Sequence, residues 1–306
     1  MLLAFSLTGC AELLSILGIT AEAIMFSVDG SVVNARAGLD QNWYEGSGGA
    51  TLSGATVRLV HLNPAESGKN RTATVSSTGR YSISDVTPGR YWLRGEKSGW
   101  AFVPRQVEIS GFANTLPNLL AYQPPGNNTI LLITEWENRQ IDVDMHLVVD
   151  NANYDTLDPT VTTSPEILGT INYNTKSMFG ITLERDITND DLAANASLPA
   201  VETILIASNP FTADGTGWMR LYIKAWNVTG GLTGVTNDPS VGTVAPAKAT
   251  VHTMQGTTHL GTFRIAIETY ETMIGVLKIQ TTYTSSATNY SIMSIGNFNN
   301  EARSIE

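Results

Sequence analysis

The chain of 306 residues carries 28 acidic against 18 basic side chains, a formal net charge of −10, and is 42% hydrophobic but only 15% charged. No basic stripe is present to neutralise phosphates, which excludes nucleic acid as a partner, while the length allows two domains with separate cores. A charged fraction below the usual ~25%, together with abundant Thr, Ser, Asn and Gly, is the composition of extracytoplasmic β-sandwiches.

The N-terminal stretch Met1–Gly9 is apolar and ends Leu7-Thr8-Gly9-Cys10. Cys10 is the sole cysteine, so it forms no internal disulfide and belongs to no zinc motif. The run resembles the bacterial lipobox, which is cut before its cysteine. The resemblance implies lipidation at Cys10, residues 1–24 as signal, anchor and tether, and a membrane partner reached through the lipid, with the outer membrane favoured because no aspartate follows. The stretch lacks the basic region with which a secretory signal begins. Two rival readings stand beside it: cleavage after Ala21-Glu22-Ala23 to release a secreted protein, or retention of the segment as an apolar helix that docks against subunits of a filament. Past this segment no apolar run approaches the roughly 20 residues that span a bilayer.

From about residue 25 to 123, short alternating runs are separated by Gly and Pro breaks: Phe26–Val28, Thr56–Val60, Arg80–Ile83, Arg90–Leu93 and Gln106–Ile109. This is the pattern of an all-β sandwich. Val86-Thr87-Pro88-Gly89 reads as a type II turn, with Pro88 presetting φ and Gly89 taking φ > 0. Gly30-Ser31-Val32, Gly54 to Leu59, Thr74 to Tyr81, Val86 to Tyr91 and Gly99-Trp100 follow one another in an order that resembles the carboxypeptidase regulatory-like domain. That resemblance implies a transthyretin-like, non-catalytic sandwich. Asn34–Ala50, with Trp43 and Tyr44, departs from the pattern and reads as a loop. Tyr91, Trp92 and Trp100 read as core residues rather than a sugar platform.

Gln123-Pro124-Pro125-Gly126 marks a boundary. Strands are then expected at Ile130–Trp136, Asp142–Val149, Met178–Leu183, Thr203–Ala207, Met219–Trp226, Ala249–Thr253, Thr262–Glu268 and Leu277–Thr282. None shows the 3.6 period of a long helix, so a second β-sandwich over 124–290 is favoured, followed by a polar tail over 291–306, with Tyr290–Ile295 as a candidate edge strand. The fold class is therefore all-β, two tandem β-sandwiches behind a short apolar segment.

The unusual strand is Asp142-Val143-Asp144-Met145-His146-Leu147-Val148. Period two sets Asp142, Asp144 and His146 on one face and Val143, Met145 and Leu147 on the other. With Thr134-Glu135-Trp136, Leu183-Glu184-Arg185-Asp186-Ile187-Thr188 and Glu202, this strand resembles the YfaP-like (DUF2135) domains of bacterial envelopes. The family's glycine-rich segment is here the glycine-free Asn189–Glu202. Asp142 and Asp144 stand about 7 Å apart along the strand, and Glu184, Asp186 and Glu202 are expected near them. Several carboxylates make a hard-oxygen site of the kind calcium prefers. His146 and Trp136 are candidate binding residues beside it. The alternative is a set of solvent-facing or backbone-bonded acids with no metal.

No G-x-S-x-G, H-E-x-x-H or P-loop motif is present, so no enzyme is expected. The sequence points to a lipid-anchored envelope module that binds a protein or glycan partner. Self-assembly into a filament through strand edges and a carbohydrate-binding adhesin are the alternatives.

Overall fold

β-Branched and aromatic side chains at alternate positions build both halves of the chain from strands. The computed structural model describes residues 25–38, 42–110, 115–137, 141–150, 167–195, 198–211, 215–226, 247–267, 273–284 and 287–294. Cys10 with the lipobox-like run, and Ala21–Ala23, lie outside these residues. Among the described residues no helix is long and apolar enough to cross a membrane.

The chain divides into two units. The first comprises Met1–Asn34 and Tyr44–Gln123; the second comprises Ala35–Trp43 and Pro124–Glu306. The first unit is a sandwich of β1 (Phe26–Asn34), β2 (Thr56–His61), β3 (Arg71–Thr74), β4 (Arg80–Val86), β5 (Gly89–Glu96), β6 (Ala101–Phe102), β7 (Arg105–Ile109) and β8 (Leu119–Tyr122). One sheet runs β4-β1-β8-β6 and the other β3-β2-β5-β7. Only β1 and β8 pair in parallel, from Val32 opposite Leu119 to Asn34 opposite Ala121. Val28, Val32, Leu59, Tyr81, Ile83, Leu93 and Leu119 fill the space between the sheets.

Two local expectations change here. Gly89 has φ +156°, not the value near +80° of a type II turn. Glycine is still required by the positive φ, and a Cβ would also lie 2.9 Å from Nε2 of His61. Tyr91 and Trp100 are core residues, and the Tyr91 hydroxyl donates to the Thr87 carbonyl at 2.9 Å. Trp92 is half-buried, on the opposite face, with the Arg94 guanidinium 5.6 Å from its ring.

The second unit stacks two antiparallel sheets. Its strands are β9 (Ile130–Trp136), β10 (Asp142–Asp150), β11 (Ile167–Ile171), β12 (Ser177–Met178), β13 (Ile181–Arg185), β14 (Val201–Ile206), β15 (Gly215–Trp226), β16 (Ala247–Gln255), β17 (Thr258–Ile267), β18 (Met273–Thr284) and β19 (Ala287–Ser294). The five-stranded sheet has the order β11-β10-β15-β18-β19 and the six-stranded sheet β12-β13-β14-β9-β16-β17. Val143, Met145, Leu147 and Val149 of β10 meet Ile130, Leu132, Ile204, Val251 and Ile265 in the shared core. The expected strand over Met178–Leu183 is a hairpin: Phe179 and Gly180 take φ +54° and +73° and turn the chain between β12 and β13, as a two-residue hairpin turn requires. A short helix, α1 (Asn189–Ala194), starts at Thr188, where Thr188 and Asp191 form a capping box. The edge strand expected at Tyr290–Ile295 is present as β19, which corrects the start of the expected tail. Ser291–Ser294 belong to β19 because Tyr290 and Ile292 pack against the core on alternate positions.

The expected loop over Asn34–Ala50 is also corrected. Its first part, Ala35–Trp43, belongs to the second unit. Ala35 and Ala37 are fully buried. Thr203 donates its hydroxyl to the Ala35 carbonyl at 2.6 Å, and Arg185 donates from Nη1 to the Ala37 carbonyl at 2.7 Å. Arg185 also holds the carbonyls of Val201 at 2.9 Å and Pro199 at 3.2 Å. Its guanidinium therefore ties three backbone segments together inside the unit. Arg185→Met leaves those buried acceptors without a donor and is expected to destabilise the second unit by about 3 kcal/mol. The measurement is a shift of its urea midpoint at constant slope, and an unchanged midpoint would contradict this role.

Candidate metal centre

Glu202 is the second residue of β14. Ile204 and Ile206 follow it at the strand period and face the core, so Glu202 points inward too. It is 0% exposed. Its Oε2 accepts the Met145 N–H at 2.9 Å, which joins β14 of one sheet to β10 of the other. That N–H is available because β11 pairs with β10 only from Leu147 to Asp150. The second oxygen, Oε1, has no hydrogen-bond partner among the described residues. Thr134, directly opposite Glu202 on β9, is fully buried and its hydroxyl is likewise without a partner there.

Asp144 and Asp186 complete the cluster. One carboxylate oxygen from each of Asp144, Asp186 and Glu202 lies within 4.8 Å of the others. Asp144 is 6% exposed and its Oδ2 accepts the indole N–H of Trp226. Asp186 directly follows β13, and the Lys176 ammonium lies 2.7 Å from its Oδ2. Burial, reinforced by the charge on Asp186, pushes the Asp144 carboxyl up to about 6 against the pull of Trp226 and Lys224. Burial and then the charges on Asp144 and Asp186 raise Glu202 well above the carboxylate range, and the Met145 N–H only partly opposes this. Three acids this close and this poorly hydrated do not all ionise unaided; they take up protons or gather around a cation.

The remaining expected residues fall elsewhere. Glu184 faces outward and forms a two-point pair with Arg36, at 2.6 Å for Nε to Oε2 and 2.6 Å for Nη2 to Oε1. The register shift between Leu183 and Arg185 separates it from Asp186. Asp142 shares the face of Asp144 but is opposite Trp226 at the start of β10, outside the cluster. Trp136 is 5% exposed and belongs to the core, its indole donating to the Ile141 carbonyl at 3.1 Å, so it offers no binding surface. His146 is buried beside Tyr173, edge to face at 6.2 Å. Burial and the nearby Lys224 pull it down to about 4, so it is neutral at pH 7, and its Nε2 has no partner among the described residues.

Trp226 and Tyr173 were not anticipated from sequence. They stack edge to face at 6.1 Å and cover the Asp144 side of the cluster, with the Lys224 ammonium 3.4 Å from the Trp226 ring centre. The only available signal was the tryptophan at the end of a long strand. A second polar group also escaped notice. His252 is 3.0 Å from Oε1 of Glu135 and 3.0 Å from the Thr262 hydroxyl, which His259 also approaches at 2.9 Å. Three neighbouring strands place these groups on the outer face of the six-stranded sheet.

No family model and no curated protein matches the chain. Among solved structures, a protein of unknown function, SAV2460, superposes with 13% identity and a TM-score of 0.34 over 55% of this chain and 90% of its own. The major pilin SpaD of Corynebacterium diphtheriae gives 11% identity and 0.25 over 84% of this chain and 65% of its own. A putative carbohydrate-binding protein of Bacteroides uniformis gives 15% and 0.20 over 79% and 98%. Likenesses at this level carry no argument about function, which rests on the residues of this chain.

Proposed function

We propose that the protein is a non-enzymatic module of the bacterial cell envelope, held outside the cytoplasm by a lipid on Cys10, whose second sandwich is clamped by a calcium ion at Asp144, Asp186 and Glu202. The observation that carries the calcium reading is the meeting of three carboxylate oxygens within 4.8 Å around a fully buried glutamate whose second oxygen lacks a partner. Calcium holds its oxygen ligands at about 2.4 Å, so oxygens on opposite sides of it are separated by about 4.8 Å. The donor set is all oxygen, which suits a hard cation, and the unpartnered hydroxyl of Thr134 beside Glu202 is a further oxygen of the same kind. Because Glu202 comes from one sheet and Asp144 from the other, a bound cation staples the two layers. The envelope location rests on the lipobox-like run and the low-charge, strand-built composition.

Calcium binding only to the folded state raises the melting temperature. The wild type is expected to melt at least several degrees higher in millimolar calcium than in EDTA. Asp144→Asn keeps an acceptor for Trp226, removes one buried charge and is expected to melt higher than wild type in EDTA at pH 7.5 while losing the calcium shift. No calcium shift in wild type, or an equal one in Asp144→Asn, defeats the proposal.

Proton competition supplies a second test. In the cation-free fold Asp144 and Glu202 have raised pKa values. Protons on them are therefore a stabilising contribution present at low pH and lost as pH rises, through about 6 for Asp144, and a bound cation must displace them. Calcium affinity measured by titration calorimetry is expected to be higher at pH 7.5 than at pH 5.0, with protons released on binding. Lys176→Met, which removes the ammonium on Asp186, is expected to tighten binding by about tenfold, a Coulomb effect near 1.4 kcal/mol.

A further inference from the structure

Edge strands present unpaired backbone groups, and proteins block them with charges, proline, bulges or short length. The four sheets of the described residues end on β4, β6, β3, β7, β11, β19, β12 and β17. Arg80 and Asp85 guard β4, Arg71 guards β3, Arg105 and Glu108 guard β7, and Arg264 guards β17. β6 and β12 are two residues long, and β11 has five residues interrupted by Gly169. β19 is the exception among the described residues: eight residues, Ala-Thr-Asn-Tyr-Ser-Ile-Met-Ser, with no charge, glycine or proline.

We infer that the outer edge of β19, the side away from β18, is a docking surface for a second copy of this chain, paired antiparallel with its own β19. The strand is compatible with itself. A two-fold axis at Ser291 sets Tyr290 opposite Ile292 twice on the core-facing side, where both side chains already pack against the core. Aromatic residues opposite β-branched ones are favourable cross-strand pairs. On the other side it sets Asn289 opposite Met293 and Ser291 opposite itself, all exposed and uncharged, so no like charges meet. Met293 is 37% exposed, a large apolar side chain that such pairing covers. The five-stranded sheets of the two copies would continue as one sheet. The contact is isologous, so it closes at two copies and does not propagate. It is independent of the calcium site, because β15 and β18 lie between β19 and β10.

The test is sedimentation equilibrium of the full chain in reducing buffer with mild detergent, across concentrations, for wild type and Ser291→Lys. Lysine at this exposed position opposes its own copy across the axis and leaves the monomer core untouched. The expected result is a monomer–dimer equilibrium for wild type, weakened at least about tenfold in Ser291→Lys, with equal melting temperatures measured on the monomers. Amide exchange in β19 is expected to slow as wild-type concentration rises and not to do so in the variant. Asn289→Lys serves the same purpose if Ser291→Lys is poorly folded. A wild type that stays monomeric, a variant that dimerises equally, or growth beyond two copies overturns the inference.

Discussion

A carboxylate occupies a core position at Glu202, and much of the second unit is arranged to accommodate it. Taking an ionised carboxylate out of water costs several kcal/mol even after local relaxation. One hydrogen bond from the Met145 N–H offsets part of that. The buried Arg185 contributes attraction across a short distance, since the charge on Glu202 is what opposes the downward pull of burial on its guanidinium. Its hydrogen bonds, however, go to the carbonyls of Ala37, Pro199 and Val201. The guanidinium therefore balances the field without occupying the carboxylate, and the cluster remains open towards Asp144 and Asp186.

The far end of β10, the strand that carries Asp144, shows how the chain treats a buried acid when the partner is internal. Asp150 accepts from Nε and Nη2 of Arg220 at 2.6 and 2.7 Å, and Arg220 gives a third bond to the Tyr222 hydroxyl at 2.9 Å. That pair is complete: a bidentate fork satisfies both carboxylate oxygens. At Asp144, an indole N–H satisfies one oxygen, and among the described residues no guanidinium pairs with it. The contrast within one strand argues that the acidic cluster is not simply an unfinished ion pair.

The strand pattern was legible in sequence wherever side chains alternate cleanly. Ile130–Trp136 falls where β9 begins and ends, and β10 exceeds its expected range by Asp150 alone. β3, β6, β8 and β11 were missed, Leu119–Tyr122 because all four residues are buried and show no alternation. Helix α1 has six residues, too few for a helical period to emerge. Of the five acids expected to meet, Asp144, Asp186 and Glu202 do so. Glu184 and Asp142 were indistinguishable from them by type and spacing. What separates them is the register shift in β13 and the point at which β11 stops pairing with β10, both set by tertiary contacts. The assignment of Ala35–Trp43 to the second unit was equally hidden, because Arg36 and Glu184 are 148 positions apart.

Lys176 determines what kind of cation site this can be. Its side chain is more than half exposed, while that of Asp186 is mostly covered, so the ammonium sits at the solvent side and must give way when a cation enters. An internal competitor and a site with only three carboxylates both weaken binding relative to sites crowded with acids. On the proposed reading, affinity then falls in the range of extracellular calcium modules, about 10⁻⁴ to 10⁻³ M. Such a site stays filled where calcium is millimolar and empty in the cytosol. The clamp between the two sheets would therefore close after export, so that the same weakness that makes the site reversible also couples the stability of the domain to its place outside the cell.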